Sequence, residues 1–230
     1  MSGVFVTGTD TGVGKTVLAA AIVAALRARG RSVTVLKPVI TGLDEPTAAD
    51  WPADHELLAR VAGTTRERVA LAAYGPAVSP HLAAELAGRP VDVEALLAAV
   101  RSATRDADTL VVEGVGGLLV PIAIAGESAV DVRALARAIG LPVLIAARCG
   151  LGTINHTLLT LEAARAGALM VAGVVLTPWP ASPGVIERSN LRTIESLGRV
   201  RMATLAPVAR PEPELLAAAG AALPLDSWLS

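Results

Sequence analysis

The sequence predicts an α/β fold with a doubly wound, mostly parallel sheet flanked by helices. Short aliphatic runs typical of buried strands alternate with helical patterns along the chain, as they do in parallel sheets. The composition agrees, because 53% of the residues are hydrophobic and only 2% are aromatic, so the core must be built from Ala, Val, Leu and Ile. No linker rich in Pro, Gly or Ser divides the 230 residues, and we expect a single domain over residues 1–230.

The first sixteen residues carry the strongest motif. An apolar run predicts a strand, and a glycine-rich turn leads from it to Lys15 and Thr16 at the start of a helix that ends before Gly30. This order is typical of P-loop NTPases, in which backbone N–H groups and the lysine hold phosphates and the hydroxyl binds magnesium. The common spacing has a glycine where this chain has Thr9, with Gly8 one residue earlier. The alternative is a strand–turn–helix corner in which Gly-Lys-Thr occurs by chance.

The charge balance and the cysteine content exclude several classes of protein. Lys plus Arg number 20 and Asp plus Glu number 21, so the net charge of -1 favours neither nucleic acid nor an anionic membrane as a partner. The one cysteine, Cys149, excludes an internal disulfide and a multi-cysteine zinc site. No signal-peptide pattern and no membrane-spanning apolar run are present, and we expect a soluble cytoplasmic protein.

The use of lysine is unusual. Of the 20 basic residues only Lys15 and Lys37 are lysines, so lysine is kept where a compact point charge differs most from the planar fork of arginine. Lys37 follows a predicted strand at residues 33–36, and Thr41 lies shortly after it. Ligand groups gather at the carboxyl ends of parallel strands, which predicts a functional role for both residues. The alternative is a chance lysine at a strand end.

The next segments are less regular. Residues 43–53 combine Pro, Asp and Thr with little periodicity, which predicts a mobile loop. Asp54 begins a short predicted helix at residues 54–61, and it is either a helix cap or a carboxylate that reaches magnesium. The sequence alone favours the cap. A strand is expected at residues 69–74, and a turn then leads into a short helix that ends near Gly88.

A carboxylate marks the end of the following strand. Asp92 is predicted to cap an amphipathic helix that reaches about Val100. The apolar strand at residues 109–112 then ends in Glu113, with glycines behind it. A carboxylate at the carboxyl end of a central strand is well placed to bind a metal ion near P-loop phosphates. These glycines do not form a dinucleotide fingerprint, since the third position is Leu119.

A second anion site is predicted later in the chain. A helix at residues 131–139 and a buried strand at residues 141–146 precede a segment with two glycines and Thr153, which opens another helix. Such an N-terminus can hold an anion, for example a carboxylate. Ordinary capping by Thr153 or Asn155 is the alternative. Cys149 is interpreted as a small buried residue, because no signature places a histidine base beside it.

The remaining third continues the alternation. A strand is predicted at residues 171–176, a helix at residues 182–197 and a last strand at residues 202–205, before a short helical tail. Three polar residues of that helix are interpreted as its solvated face: Arg188, Asn190 and Arg192.

Five motifs in chain order resemble those of the dethiobiotin synthetases, the ATP-dependent carboxylases of biotin biosynthesis. They are Gly8-Thr9-Asp10-Thr11 with Val13-Gly14-Lys15-Thr16, Lys37-Pro38 with Thr41-Gly42, Ser79-Pro80-His81, Val112-Glu113-Gly114 with Gly116-Gly117, and Leu151-Gly152 with Ile154-Asn155-His156. The off-pattern glycine is itself a feature of this family. The resemblance implies a homodimer that uses Mg²⁺ and ATP, or another nucleoside triphosphate, to convert diaminopelargonate and CO₂ to dethiobiotin. It implies that a carbamate forms first and attacks the γ-phosphate.

The resemblance also implies a role for each matching position. The implied catalytic residues are Lys15 and Lys37, and the implied magnesium ligands are Thr16, Asp54 and Glu113. The implied nucleotide-binding residues are Asp10, Thr11, Gly12, Val13, Gly14, Lys15, Thr16, Val17, Glu113, Thr177, Pro178 and Pro207. The implied substrate-binding residues are Thr11, Lys37, Thr41, Glu113, Gly116, Leu151, Gly152, Thr153, Ile154 and Asn155. In the family, the stretch at 151–155 comes from the partner subunit and takes the substrate's tail carboxylate.

Two departures from the family and one rival class bear on the prediction. Many members have an acidic residue where this chain has Gly12, and some have an adenine-reading asparagine where it has Thr177. We therefore expect a nucleotide preference weaker than strict ATP. The alternative function is a dimeric P-loop switch ATPase of the chromosome-partition type. Those proteins usually carry a second lysine where this chain has Asp10.

Overall fold

The computed structural model describes residues 2–47, 50–106, 108–126 and 128–229. The strands are β1 (Ser2–Gly8), β2 (Val33–Leu36), β3 (Val39–Ile40), β4 (Ala72–Ala73), β5 (Thr109–Glu113), β6 (Pro121–Ala125), β7 (Ser128–Asp131), β8 (Val143–Ala147), β9 (Val171–Leu176) and β10 (Met202–Thr204). The helices are α1 (Lys15–Ala28), α2 (Asp54–Ala62), α3 (Arg66–Val69), α4 (Pro80–Leu86), α5 (Val93–Asp106), α6 (Val132–Ile139), α7 (Thr153–Ala166), α8 (Val185–Gly198), α9 (Pro213–Ala221) and α10 (Leu225–Trp228).

A six-stranded sheet with the order β10-β9-β8-β1-β5-β2 forms the centre of the fold. All neighbouring strands in it are parallel, and Phe5 of β1 lies opposite Val112 of β5 on one side and Val143 of β8 on the other. Since β5 and β8 flank β1, the chain changes direction across the sheet beside the end of β1. In open α/β sheets this switch point is where ligands bind.

Helices cover both faces of the sheet, which confirms the predicted doubly wound fold. Side chains of a strand alternate between its two faces. In β1, Val4 and Val6 join a cluster with α1, α2 and α9, whereas Phe5 joins the cluster on the opposite face with residues of α5 to α8. The aliphatic side chains therefore form two hydrophobic layers, one on each face of the sheet.

The helix after the P-loop turn is buried along most of its length. In α1, residues 18–26 are all buried, and α9 packs against them. The contact is close because α9 presents Gly220 to the α1 backbone, where an added Cβ would fall on the carbonyl oxygen of Ala21. A glycine here lets the two helix backbones approach closely.

Two predicted elements differ clearly from the observed ones. The strand expected at residues 69–74 reduces to Ala72–Ala73, which pairs with β3, and the short helix Arg66–Val69 occupies its start. Alanines carry little strand preference, so only the pairing with β3 decides where this strand lies. The helix after Asp92 continues beyond Val100 to the end of α5.

The antiparallel pair β6–β7 was not predicted from the sequence. It forms a separate two-stranded sheet, and β6 is apolar throughout, so the alternation of apolar and polar residues that marks a half-buried strand is missing from the sequence. Of the loop expected at residues 43–53, the described part contains neither helix nor strand, and residues 48 and 49 lie outside the described residues. No helix in the described part of the chain is long and apolar enough to cross a membrane.

We expect Gly220→Ala to lower the free energy of unfolding by about 1–3 kcal/mol, because the new methyl group meets backbone rather than a movable side chain. The matched control is Gly150→Ala, where an added Cβ has no neighbour within 4 Å, and it should change stability by less than about 1 kcal/mol. Urea unfolding of both variants measures the difference. Equal midpoints would contradict the close approach of α9 to α1.

Candidate active site

The turn between β1 and α1 has the backbone form that a phosphate site needs. Gly12 and Gly14 have φ angles of 72° and 88°, in the left-handed region that favours glycine. Gly14 is the N-cap of α1, and no side chain caps this end of the helix. The first N–H groups of α1 are therefore available to an anion.

The side chain of Lys15 hydrogen-bonds to the main chain of this turn. Its Nζ donates to the carbonyl oxygen of Asp10 at 2.8 Å, and the side chain is buried. Burial is the largest influence on Lys15 and lowers its pKa. The carboxylate of Asp10 accepts from the N–H of Thr11 at 2.7 Å and pairs with Arg148 at 2.9 Å. Two contacts thus fix the turn: Lys15 binds its main chain, and Arg148 binds the side chain of Asp10.

Lys37 lies directly after β2, and its ammonium group connects four elements of the fold. Its Nζ donates to Glu113 Oε1 at 2.7 Å, to an Asp54 carboxylate oxygen, and at 3.4 Å to Thr16 Oγ1. Thr16 Oγ1 in turn donates to Glu113 Oε1 at 2.8 Å. Lys37 is 4% exposed and Glu113 is 1% exposed. The ends of β2 and β5 and the first turns of α1 and α2 therefore meet at one buried ammonium.

The pKa directions follow from burial and pairing. Burial alone would lower the pKa of Lys37, but the attraction of Glu113 and Asp54 outweighs it and the pKa is raised. Burial would raise the pKa of Asp54, but Lys37 outweighs it and the pKa is lowered. For Glu113 burial prevails over the attraction of Lys37, and the pKa is raised. Lys37 and Asp54 are therefore held as a charged pair.

The oxygen groups around Lys37 fit a magnesium ion. Glu113 Oε2 is buried and has no hydrogen-bond partner among the described residues, so one carboxylate oxygen is left for a cation or water. Thr16 and Asp54 supply further oxygen atoms, which are the ligands that Mg²⁺ prefers. The described residues contain no cluster of three or more His, Cys, Asp or Glu suited to a metal. A site with so few protein ligands suits Mg²⁺, which keeps waters and phosphate oxygens as ligands.

The sequence-based preference for Asp54 as a helix cap is wrong. The N-cap of α2 is Ala53, without a side-chain hydrogen bond, and Asp54 is the first helical residue. Its carboxylate turns toward Lys37 instead. The competing interpretation, a carboxylate that reaches the metal site, agrees with this position.

One cavity of about 600 Å³ brings most of the predicted residues together. The predicted residues that line it are Thr11, Gly12, Gly14, Lys15, Thr16, Val17, Lys37, Thr41, Asp54, Glu113 and Gly116. Val13 is buried, and Asp10 lines a neighbouring groove beside Thr11. The turn between β1 and α1 is called the phosphate turn below, and Lys37 with Thr16, Asp54 and Glu113 is called the Lys37 cluster. The cavity joins the two in a single space.

Several lining residues were not assigned to the site by sequence analysis: Ile40, Ala77, Val78, Ser79, Pro80, Val115 and Val120. Ser79 and Pro80 stand in one of the five motifs, but nothing in the spacing places them near the phosphate turn. The turn before α4 reaches the cavity because Gly42 N–H donates to Pro76 O at 3.0 Å and Tyr74 N–H donates to Ile40 O at 3.0 Å.

Three residues predicted to bind the nucleotide lie outside this cavity. Thr177 follows β9 and is buried. A Cβ added to Gly14 would lie 2.9 Å from the methyl carbon of Thr177. Pro178 accepts from the Cys149 thiol at 3.1 Å, whereas Pro207 is exposed. Thr177 thus packs against the back of the phosphate turn. The role of these three residues in nucleotide binding stays a prediction.

The second predicted anion site also lies outside the cavity of its own chain. None of Leu151, Gly152, Thr153, Ile154 and Asn155 lines the cavity. Gly152 is the N-cap of α7 with φ 89° and no side-chain cap, so the alternative of capping by Thr153 or Asn155 is wrong. Thr153 is buried, with Oγ1 3.5 Å from Thr157 Oγ1, and Leu151 is 91% exposed.

Asn190 is a further correction. It was predicted on the solvated face of its helix, but it is 6% exposed, and its Nδ2 donates to Cys149 O at 2.8 Å and to Gly150 O at 3.2 Å. α8 thereby fixes the turn that precedes α7. The available signal was its position four residues before buried Ile194, on the same helix face. Arg188 and Arg192 are exposed as predicted.

Known proteins resemble this chain over most of its length. The family model described as an AAA domain matches residues 2–210. The ATP-dependent dethiobiotin synthetase BioD of Mycobacterium avium (strain 104) is 45% identical over 202 residues, which cover 87% of this chain and 85% of that protein. The protein of the same name from Rhodococcus jostii (strain RHA1) is 43% identical over 192 residues, which cover 83% of this chain and 80% of that protein.

Among solved structures, a ParA family ATPase from Chlorobium tepidum TLS matches with a TM-score of 0.55 and covers 96% of this chain and 91% of that chain. The two sequences are 13% identical, so this likeness shows the P-loop NTPase fold alone.

We expect the Cys149 thiol to react slowly in the native protein. Burial raises its pKa to about 11, so the reactive thiolate is scarce at neutral pH and increases only as the pH approaches that value. Iodoacetamide labelling between pH 7 and pH 9 should be many times slower in the folded protein than in urea, where the thiol has an ordinary pKa. Equal rates in the two states at pH 8 would contradict this assignment.

Proposed function

The chain belongs to the family of the ATP-dependent dethiobiotin synthetases, and we propose that it carboxylates 7,8-diaminopelargonate and closes its ureido ring. ATP and CO₂ are consumed, and dethiobiotin, ADP and phosphate are released. The support is the 45% and 43% identity to two proteins of that name over most of their length. The structural observation that carries the proposal is the buried Lys37 cluster, which shares one cavity with the phosphate turn.

The proposed nucleotide site uses the turn and the start of α1. The N–H groups of the uncapped helix and the Lys15 ammonium would hold the phosphates. Thr16, Asp54 and Glu113 would hold Mg²⁺, which when bound neutralises part of the phosphate charge. Glu113 Oε2, which has no hydrogen-bond partner within the described part of the chain, supports this assignment.

The proposed role of Lys37 is to stabilise charge on the substrate. One amine of the diamine takes up CO₂ as a carbamate, the carbamate oxygen attacks the γ-phosphate, and the second amine closes the ring on the mixed anhydride. This sequence asks the protein for positioning and for a positive charge near the migrating phosphoryl group. Lys37 and Thr41 line the same cavity as Lys15, which supports their assignment to the carbamate and the substrate.

We propose that the active form is a homodimer in which each cavity is completed by the α7 N-terminus of the other subunit. The support is twofold: the stretch at 151–155 does not line the cavity of its own chain, and Leu151 is 91% exposed beside it. The uncapped N–H groups at Gly152 and beyond would then bind the tail carboxylate of the substrate.

The same proposal includes a cytoplasmic location, where ATP and bicarbonate are supplied.

The switch ATPase of the chromosome-partition type is not favoured. The position of its usual second lysine holds Asp10, whose carboxylate pairs with Arg148 of the same chain. The structural likeness to such ATPases extends to the fold, while the relatives at 40–45% identity carry the synthetase name.

We expect phosphate release to require both diaminopelargonate and bicarbonate, because the carbamate is the proposed nucleophile. A phosphate assay with ATP, GTP and CTP in turn, combined with mass spectrometry of the product, measures the requirement and the base preference. Vigorous hydrolysis without either substrate, or stimulation by DNA, would favour the switch ATPase instead.

We expect Lys37→Arg to lower kcat by about 100-fold or more. The planar guanidinium group of arginine cannot move between neighbouring oxygen atoms as the compact ammonium group of lysine does. Nucleotide affinity, measured by calorimetry, should stay within a few fold of wild type. The matched control is Arg148→Lys in the exposed pair with Asp10, which should retain most of the turnover. Wild-type kcat in Lys37→Arg would remove Lys37 from the mechanism.

A further inference from the structure

We propose that the Lys37 ammonium occupies the metal-binding oxygens until a divalent cation displaces it, so that metal binding and release of Lys37 are a single event. The inference rests on the proposed function for the identity of the metal ligands. It adds an order to the reaction: Lys37 becomes available to an anionic substrate only after the cation has bound.

The first step of the argument is that all of the assigned ligands contact the same nitrogen. Lys37 Nζ lies within hydrogen-bond distance of Thr16 Oγ1, of Glu113 Oε1 and of an Asp54 carboxylate oxygen. A dication bound to these groups would stand next to the ammonium in a buried site, where like charges repel strongly. The cation and Nζ therefore compete for one set of oxygen atoms.

The second step is that Lys37 is fully engaged by this set. The hydrogen bonds of its side chain go to those three groups, and two of the groups are carboxylates that neutralise it. An ammonium paired in this way offers little attraction to a carbamate or a phosphoryl group. Lys37 must leave its carboxylates before it can serve the substrate.

The third step is that the side chain can leave without moving the fold. The backbone N–H of Lys37 donates to Val69 O at 2.9 Å, which holds the main chain in place. The four-carbon stem is flexible, and Lys37 lines the same cavity of about 600 Å³ as Thr41 and Gly116. The freed ammonium would thus turn into the space where the substrate is proposed to bind.

The fourth step is that one oxygen atom of Glu113 can bind a cation before Lys37 leaves. Glu113 Oε2 is buried and has no partner among the described residues, so one lone-pair-bearing oxygen is not held by Lys37. Lys15 does not compete in the same way, because its Nζ donates to the carbonyl oxygen of Asp10. The exchange therefore involves Lys37 alone of the two lysines.

The first test measures binding of Mn²⁺ alone, an oxygen-preferring stand-in for Mg²⁺, to the nucleotide-free protein by electron paramagnetic resonance. Lys37→Met should bind Mn²⁺ about tenfold or more tightly than wild type, because no ammonium has to be displaced. Lys15→Met is the matched control. It removes one positive charge beside the site but frees no oxygen ligand, so its affinity should rise by no more than about threefold.

Equal tightening in both variants would mean that general charge, not occupancy, controls the metal, and it would overturn the proposal. Unchanged or weaker binding in Lys37→Met would overturn it as well.

The second test needs no variant and so does not depend on how a variant folds. Trace acetylation of the wild-type protein, followed by peptide mass spectrometry, reports the reactivity of its two lysines. Mg²⁺ alone should raise labelling of Lys37 several-fold and leave Lys15 unchanged. No change at Lys37, or an equal rise at both lysines as in local unfolding, would contradict displacement.

The outcomes also separate this inference from the function it rests on. Formation of dethiobiotin by wild type together with unaltered Mn²⁺ affinity in Lys37→Met would reject the displacement and leave the synthetase assignment in place. Failure to form dethiobiotin together with tighter Mn²⁺ binding in Lys37→Met would reject the function and support the exchange.

Discussion

The contact between the Lys37 ammonium and the carboxylates of Asp54 and Glu113 is the interaction on which the site depends. Taking charges out of water is costly, and the cost is offset only where opposite charges meet with good geometry. The partners come from the ends of β2 and β5 and from the first turn of α2, with Thr16 from α1 beside them. The packing of these elements must therefore be accurate at one point, or an uncompensated charge remains buried.

The two-layer core supplies that accuracy. Parallel strands with aliphatic side chains on both faces form a rigid plane, and Val111 and Val112 of β5 point into opposite layers directly before Glu113. The Glu113 carboxylate therefore has a fixed position at the carboxyl end of β5. Close approaches serve the same end: α9 packs onto α1 at Gly220, and Thr177 packs against Gly14 behind the phosphate turn. Packing far from the Lys37 cluster thus sets the position of the groups in that cluster.

The α7 N-terminus obeys a different constraint. It is held by Asn190, whose buried amide satisfies the carbonyl oxygens of Cys149 and Gly150, and it ends in an exposed leucine outside the cavity of its own chain. This helix end is therefore fixed by α8 on one side and exposed on the other. The proposal of a site shared between two subunits rests on this exposure, because in a single chain the α7 N-terminus does not line the cavity that contains the start of α1.

The sequence by itself predicted the fold class, the phosphate turn and a role for Lys37 and Glu113, since strand periodicity and glycine placement are local features and the rarity of lysine follows from the composition. It favoured Asp54 as a helix cap over a metal ligand, and that preference is wrong because the N-cap of α2 is Ala53. Only the tertiary structure shows that the Asp54 carboxylate pairs with Lys37, seventeen positions earlier in the chain. The same holds for Asn190, for the turn at Ser79 and Pro80, and for the β6–β7 pair. Their roles arise from contacts between segments distant in sequence, and a local pattern contains no information about which segments will meet.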